Sequence, residues 1–120
     1  MAGLVSKSFD APEEVVEFPK ARMDIVTISG VQVRRLTCEP GFVWRDAVGP
    51  EIGKDSCPLH HAIWIVTSGR FCVQMDDGAT TEYGPGDIGA IPPGHDAWVV
   101  GDETVVGFDF LADSLASKSS

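Results

Sequence analysis

Apolar and polar residues alternate in short runs between residues 23 and 110, and such alternation predicts half-buried β-strands. Glycine-containing turn signals separate the runs about every eight to twelve residues, which is typical of an antiparallel sandwich or barrel. About eight short strands and almost no helix are therefore expected. The main runs are residues 23–28, 31–38, 59–67, 70–75, 79–83 and 104–110.

Two connections carry particular expectations. Ser29-Gly30 is a two-residue hairpin signal between the first two runs. After the break at residues 39–41, residues 42–45 are expected to resume the second strand briefly, and residues 46–56 to form a loop.

The chain ends lack this alternation. Residues 1–22 are polar and acidic and are expected to form an N-terminal arm. Within it, Asp10 followed by Pro12 resembles a helix N-cap with proline in the first turn, so about one or two helical turns are the most we expect. Residues 23–112 form the predicted domain, and residues 113–120 a flexible tail of small and polar residues.

Composition limits the function classes. The 120 residues suffice for one domain, and the formal net charge of −9 comes without any cluster of Lys or Arg. No nucleic acid and no membrane are therefore expected as partners, and a neutral or cationic small molecule fits better. The absence of a signal peptide or a long apolar run predicts a cytoplasmic protein. Cys38, Cys57 and Cys72 are odd in number and widely spaced, which favours free thiols.

One stretch concentrates the candidate chemistry. Residues 84–98 read GPGDIGAIPPGHDAW and combine a turn, a short apolar strand, a rigid Pro-Pro-Gly corner and a second strand. His95, one of three histidines, follows the corner directly. A histidine held by a stiff turn at the mouth of a β-structure is a natural component of a small-molecule or metal site.

These residues carry a resemblance to a known family. Residues 68–78 and 86–95 resemble the two conserved motifs of small single-domain cupins, and residues 86–94 match the second motif's pattern of glycine, five residues, proline, any residue, glycine. With a weaker fit over residues 44–69, the resemblance covers roughly residues 23–110. It implies an all-β, double-stranded β-helix or jelly-roll barrel of about eight or more antiparallel strands. It also implies a homodimer with a ligand or metal pocket inside the barrel.

The sequence does not contain the pattern of metal-ligating residues that the resemblance implies. In metal-binding cupins, two histidines separated by one residue, a glutamate and a third histidine hold Fe, Mn, Ni or Zn. Counting from the motif glycines places those positions on Asp55 and Cys57, on Ala62, and on Ala97. The usual ligands are therefore missing from the usual places.

A displaced site is the alternative. Residues of equal parity share a face of a strand, so an inward Ala62 predicts that His60 and Trp64 also point inward. His60 and His61 are adjacent, so at most one of them reaches the pocket. We predict a site of Cys57, His60 or His61, and His95, with donors suited to one divalent transition metal (Zn, Fe, Ni or Cu). A barrel that binds no metal is the alternative.

Two functions of different class remain open. The first is a binding module, in which Trp64, Trp98 and Phe108 form the walls around a small organic ligand, with Cys57 nearby and His95 as polar anchor. The second is an isomerase-type or oxygenase-type enzyme, in which His95 or His60 acts as general base or metal ligand.

Each candidate also has a structural interpretation. His95 is equally well explained by a bond to Asp96 or to a backbone carbonyl. Cys57 can be a small buried apolar residue and the tryptophans core packing. A barrel that serves only as a dimer-forming accessory domain is a third possibility.

Overall fold

The structure is a computed structural model that describes residues 3–111, and these residues form nine strands and two one-turn helices. The predicted tail at residues 113–120 lies outside the described residues. In chain order the elements are β1 (Glu14–Phe18), β2 (Ala21–Ile28), β3 (Val31–Cys38), α1 (Trp44–Ala47), α2 (Gly49–Ile52), β4 (His61–Ser68), β5 (Arg70–Met75), β6 (Thr80–Tyr83), β7 (Ile88–Ile91), β8 (His95–Val100) and β9 (Val105–Leu111).

The strands build a jelly roll of two antiparallel sheets. One sheet has six strands in the order β1-β2-β3-β9-β4-β7, and the other has three in the order β6-β5-β8. Buried side chains of both sheets meet in one core, where the ring centroids of Trp64 and Phe71 lie 5.3 Å apart. The predicted all-β fold is thus confirmed. Neither of the four-residue helices in residues 3–111 is long enough to cross a membrane.

The hairpin predicted at Ser29-Gly30 is present. β2 and β3 pair antiparallel over their full lengths, from Ala21 opposite Cys38 to Ile28 opposite Val31. Ser29 and Gly30 both have positive φ, at 50° and 79°, which is the backbone that a two-residue type I′ turn requires.

Two local expectations are wrong. Residues 14–18 do not belong to a loose arm but form strand β1, which pairs with β2. Helical turns, of which one or two were the expected maximum, are absent among residues 3–22. Val15 and Val16 are β-branched, and pairing with β2 overrides the weak helix signal before them. Residues 42–45 do not resume a strand either: Val43 makes a single bridge to Trp98, and α1 begins at the next residue.

An irregularity in β4 governs which of its side chains face the core. The pairing of β4 with β7 shifts register between His61 and Trp64, and its pairing with β9 shifts between His61 and Ile63. A bulge inserts one extra residue and so reverses the alternation of faces. His61 and Trp64, although three positions apart, therefore both line the interior.

The interior position of Trp64 depends on Gly107 in β9. A methyl group added at Gly107 would overlap the six-membered ring of Trp64. The indole thus occupies the space that a side chain at position 107 would need.

We expect Gly107→Ala to lower the free energy of unfolding by about 1–3 kcal/mol, because overpacking forces the indole out of its position. Urea unfolding checks this, with Gly3→Ala as the control, since nothing lies within 4 Å of a methyl group there. In a Gly107→Ala/Trp64→Phe double variant the overlapping ring is gone, so the combined loss should be smaller than the sum of the two single losses. Additive losses would contradict the contact.

Candidate functional site

A cavity of about 310 Å³ lies between the two sheets. This volume is at the lower end of the range for small-molecule pockets. Its wall is mostly apolar, and its polar lining comes from a few side chains: Arg22, Arg34, Cys57, His61, His95 and Asp109. Apolar residues that are partly open to solvent, Ile52 and Leu59, also belong to the lining.

Three metal-ligating side chains converge on this cavity. The ligand atoms of Cys57, His61 and His95 all lie within 4.8 Å of one another. Cys57 Sγ is 3.9 Å from His61 Nε2, and the two imidazole rings meet edge to face with their centroids 5.2 Å apart. Cys57 and His95 are buried, and His61 is partly buried.

Backbone hydrogen bonds hold Cys57 against the start of β8. The Cys57 N–H donates to the His95 carbonyl at 2.7 Å, and the Gly94 N–H donates to the Cys57 carbonyl at 2.7 Å. Beside this pair the Ser56 hydroxyl donates to Asp76 Oδ2 at 3.0 Å. The loop that carries Cys57 is therefore fixed to the Pro-Pro-Gly corner, which places the thiol beside His95.

The two histidines are oriented through their Nδ1 atoms. His95 Nδ1 is 2.9 Å from the Pro92 carbonyl, and His61 Nδ1 is 2.8 Å from Asp109 Oδ1. Because an acceptor takes each Nδ1–H, the Nε2 atoms remain as the ligand atoms.

Asp109 connects the cluster to Arg34. It lies in β9 and is fully buried, and Arg34 stands directly opposite it on β3. The distance from Arg34 Nη1 to Asp109 Oδ2 is 3.8 Å, so the contact is electrostatic and not a hydrogen bond. Asp109 Oδ2 has no hydrogen-bond partner among the described residues, and neither has Trp64 Nε1 in the same cavity wall.

The cluster changes the acidity of its members. Burial by itself raises the pKa of the Cys57 thiol, but the hydrogen bond with His61 and the interaction with the neighbouring His95 ring outweigh burial and lower this pKa to about 6. Burial likewise disfavours the charged His61 ring, but its bonds to Asp109 and Cys57 raise the pKa of His61 to about 9. Without a metal, a thiolate and an imidazolium therefore face each other between about pH 6 and pH 9.

The donor set fits a transition metal. One thiolate and two imidazoles are ligands that zinc, copper, nickel and ferrous iron accept. Donor atoms around one tetrahedral zinc lie about 3.5 Å apart, so small side-chain movements would bring these three into range. Of the positions counted for the usual cupin ligands, Cys57 alone belongs to this set, since Asp55 is exposed and Ala62 and Ala97 have no donor.

The structure brings together only some of the residues proposed from the sequence. Cys57, His61, His95 and Trp64 line the cavity. His60 is exposed and lies one residue before β4. Its inward position was inferred from equal parity with Ala62 and Trp64, and the bulge between His61 and Trp64 breaks that parity. Two proposed wall residues are also outside the cavity lining: Trp98 bridges to Val43, and the Phe108 ring packs 5.4 Å from that of Phe9.

The bond between His95 and a backbone carbonyl is one that the sequence suggested, whereas Asp96 does not orient His95. Asp96 Oδ1 accepts from the backbone N–H groups of Arg45 and Ala97 instead. It thereby fixes the start of α1 to β8.

Sequence reasoning missed Asp109 and Arg34. A signal for Asp109 was available: Val105, Gly107 and Asp109 are the inward positions of an otherwise apolar strand, and a carboxylate there needs a partner. No such signal marks Arg34, because Arg35 follows it directly and only the strand register decides which of the two side chains points inward.

Comparison with known proteins supports the fold. Neither a protein-family model nor a curated protein matches this sequence. Among solved structures, KdgF from Halomonas sp. is similar with a TM-score of 0.61 and 21% identity, over 92% of this chain and 94% of that chain. Ectoine synthase from P. lautus has a TM-score of 0.62 and 10% identity, over 88% of this chain and 77% of that chain.

A cupin-like protein from Thermotoga maritima is also similar, with a TM-score of 0.54 and 22% identity over 76% of this chain and 67% of that chain. At such identities the likeness bears on the fold alone. It confirms the cupin fold that the motif at residues 86–94 predicted, while the homodimer and the cytoplasmic location stay predictions.

The thiolate of Cys57 can be observed directly. In chelator-treated protein we expect the thiolate absorbance at 240 nm to rise with a midpoint near pH 6, and Cys57→Ala to abolish this rise. Burial raises the pKa of Cys38 to about 12 and also raises that of Cys72, so these thiols do not interfere. His61→Ala removes a donor to the thiolate, and its midpoint should move upward. An unchanged midpoint in that variant would contradict the pairing.

Proposed function

We propose that this chain binds one divalent transition-metal ion in its barrel through Cys57, His61 and His95, and that it holds a small organic molecule in the adjoining cavity. The observation that carries the proposal is the convergence of three ligand atoms within 4.8 Å at the wall of a cavity of about 310 Å³. Two neighbouring polar atoms that have no hydrogen-bond partner within residues 3–111, Trp64 Nε1 and Asp109 Oδ2, support a ligand that is partly polar.

The surroundings of the three donors support a built site. Asp109 fixes the ring of His61, and the Pro92 carbonyl fixes that of His95. A carboxylate or carbonyl behind a ligating histidine sets its tautomer and strengthens it as a ligand. Zinc is the first candidate, because it accepts one sulfur and two nitrogen ligands and keeps a fourth position for water or substrate.

When bound, such an ion acts as a Lewis acid that polarises a ligand oxygen. The chain's own residues would do the rest. The apolar wall, including Trp44, Trp64 and Phe71, would hold the body of the small molecule and exclude water. Asp109 would keep His61 in place.

A second candidate function rests on the alignment of Cys57, His61 and Asp109. A thiol next to an imidazole that a carboxylate orients is the arrangement of a metal-free cysteine nucleophile. An enzyme of this kind would use the Cys57 thiolate toward an electrophilic carbon, with His61 as acid and base. The fold is compatible with catalysis, since a similar structure is an ectoine synthase.

Metal content separates the two candidates. Protein purified without chelator and without a His tag should contain close to one transition-metal ion per chain by elemental mass spectrometry. We expect His61→Ala and His95→Ala to lose most of it, because each removes one of three ligands. His60→Ala is the matched control, since this neighbouring histidine is exposed and should leave the content unchanged.

Full metal retention in His61→Ala, or equal loss in His60→Ala, would contradict the proposed ligand set. Metal-free protein in which iodoacetamide modifies Cys57 faster than Cys38 and Cys72 would favour the nucleophile instead.

Asp109 should tune the affinity without being a ligand. In Asp109→Asn the amide keeps the size of the side chain but removes the charge behind His61. We expect zinc affinity, measured by competition with a chromophoric chelator, to fall about 10-fold to 100-fold while the stoichiometry stays the same. Loss of stoichiometry would mean that Asp109 is itself a ligand, and unchanged affinity would mean that it does not act on His61.

A further inference from the structure

The cavity contains a cationic side chain that the proposed metal site does not use. Arg34 lines the cavity, and its side chain is only 11% exposed. It projects from β3 on the face that also carries Leu36 and Cys38, both of which line the cavity as well. A guanidinium in such a place is costly unless its charge and its N–H groups are matched.

The contacts of Arg34 leave most of its donors unmatched. Its Nε–H points at the Met23 thioether at 2.8 Å, and sulfur of this type is a weak acceptor. Its Nη1 stands 3.8 Å from Asp109 Oδ2, whereas a direct guanidinium–carboxylate bond measures about 2.7–2.9 Å. Within residues 3–111 these are the hydrogen bond and the ion pair of the Arg34 guanidinium, and its charge also interacts with Cys57 and Glu14. The group can donate five hydrogen bonds, so most of its N–H groups remain without an acceptor.

The charges around Arg34 leave room for an added anion. Asp109 Oδ2 stays 3.8 Å from Arg34 Nη1, and Glu14, whose carboxylate also acts on Arg34, is exposed and therefore screened by solvent. A divalent metal ion held by Cys57, His61 and His95 would add positive charge to the same cavity and strengthen its attraction for an anion.

We propose that the cavity takes a small monocarboxylate with an apolar or aromatic body, and that Arg34 binds its carboxylate. The inference rests on the proposed function, of which it names the ligand class. The planar fork of Arg34 matches a carboxylate in two-point contact, and the Trp64 Nε1–H, unpartnered among the described residues, is a further donor in the wall. The apolar wall, with Phe42, Trp44 and Phe71, accepts the ring or chain of the ligand.

The acidity of the whole chain does not oppose this ligand. The net charge of −9 favoured neutral or cationic ligands when only the sequence was considered. Charges at the exposed surface are screened by salt over about 8–10 Å, whereas Arg34 acts at contact distance in a buried site. The local charge therefore decides which ligand the cavity selects.

Calorimetric titration with benzoate and with benzamide tests the proposal, since the two share a ring and differ in charge. Each is measured with chelator-treated and with zinc-supplemented protein. We expect wild type to bind benzoate at least about tenfold more tightly than benzamide, and zinc to increase this ratio. Arg34→Met should abolish the preference, and Arg34→Lys should reduce it because the fork is lost. Arg70→Gln is the control, since Arg70 is exposed and pairs with Glu82 outside the cavity.

The outcomes distinguish the two proposals. Binding of neither probe by wild type, or an unchanged preference in Arg34→Met with native circular dichroism, would overturn the role of Arg34. If Arg34→Met does not fold, Arg34→Lys decides: a preference equal to that of wild type would overturn the two-point contact. If the protein binds no zinc but still prefers benzoate over benzamide in a way that depends on Arg34, the carboxylate site is supported and the proposed metal site is contradicted.

Discussion

The buried carboxylate of Asp109 is the constraint on which the site depends. It stands in β9, between β3 and β4 in the six-stranded sheet, and it is fully shielded from solvent. A buried charge without partners would cost several kcal/mol. Its partners come from both neighbouring strands, His61 on β4 and Arg34 on β3. The carboxylate thereby links inward side chains of three adjacent strands, and its hydrogen bond with His61 Nδ1 turns His61 Nε2 toward Cys57.

The fold could be predicted where neighbouring residues by themselves determine the backbone conformation. Ser29 and Gly30 adopt positive φ in a tight turn, and the glycines and prolines of residues 84–94 fix the corner before β8. Prediction failed where contacts with residues far along the chain determine the secondary structure. Residues 14–18 become a strand because β2 offers an edge to pair with, and α1 begins at Trp44 where Asp96, far along the chain, accepts the Arg45 N–H. No local pattern encodes such partners.

The candidate site divides in the same way. Cys57 occupies one of the counted motif positions and His95 lies two residues before another, so both were recognisable, and the cluster contains both. The choice between His60 and His61 was not accessible, since it depends on the bulge that β4 makes against β7 and β9. The bulge lies next to Trp64, whose ring occupies the space above Gly107. Which histidine reaches the cavity thus depends on strand pairing at this point, which no local pattern encodes.

A proton and a metal ion compete for the same atom in this cluster. Near neutral pH the Cys57 thiol, with its pKa lowered to about 6, is already a thiolate, whereas His61, with its pKa raised to about 9, still holds its Nε2 proton. His61 must therefore release one proton when a metal binds between about pH 6 and pH 9, and below that range Cys57 must release another. Asp109 holds the Nδ1–H of His61 in both states, so no change of tautomer is needed. In the absence of a metal, the proton on His61 Nε2 supplies positive charge at the position where a metal ion would bind.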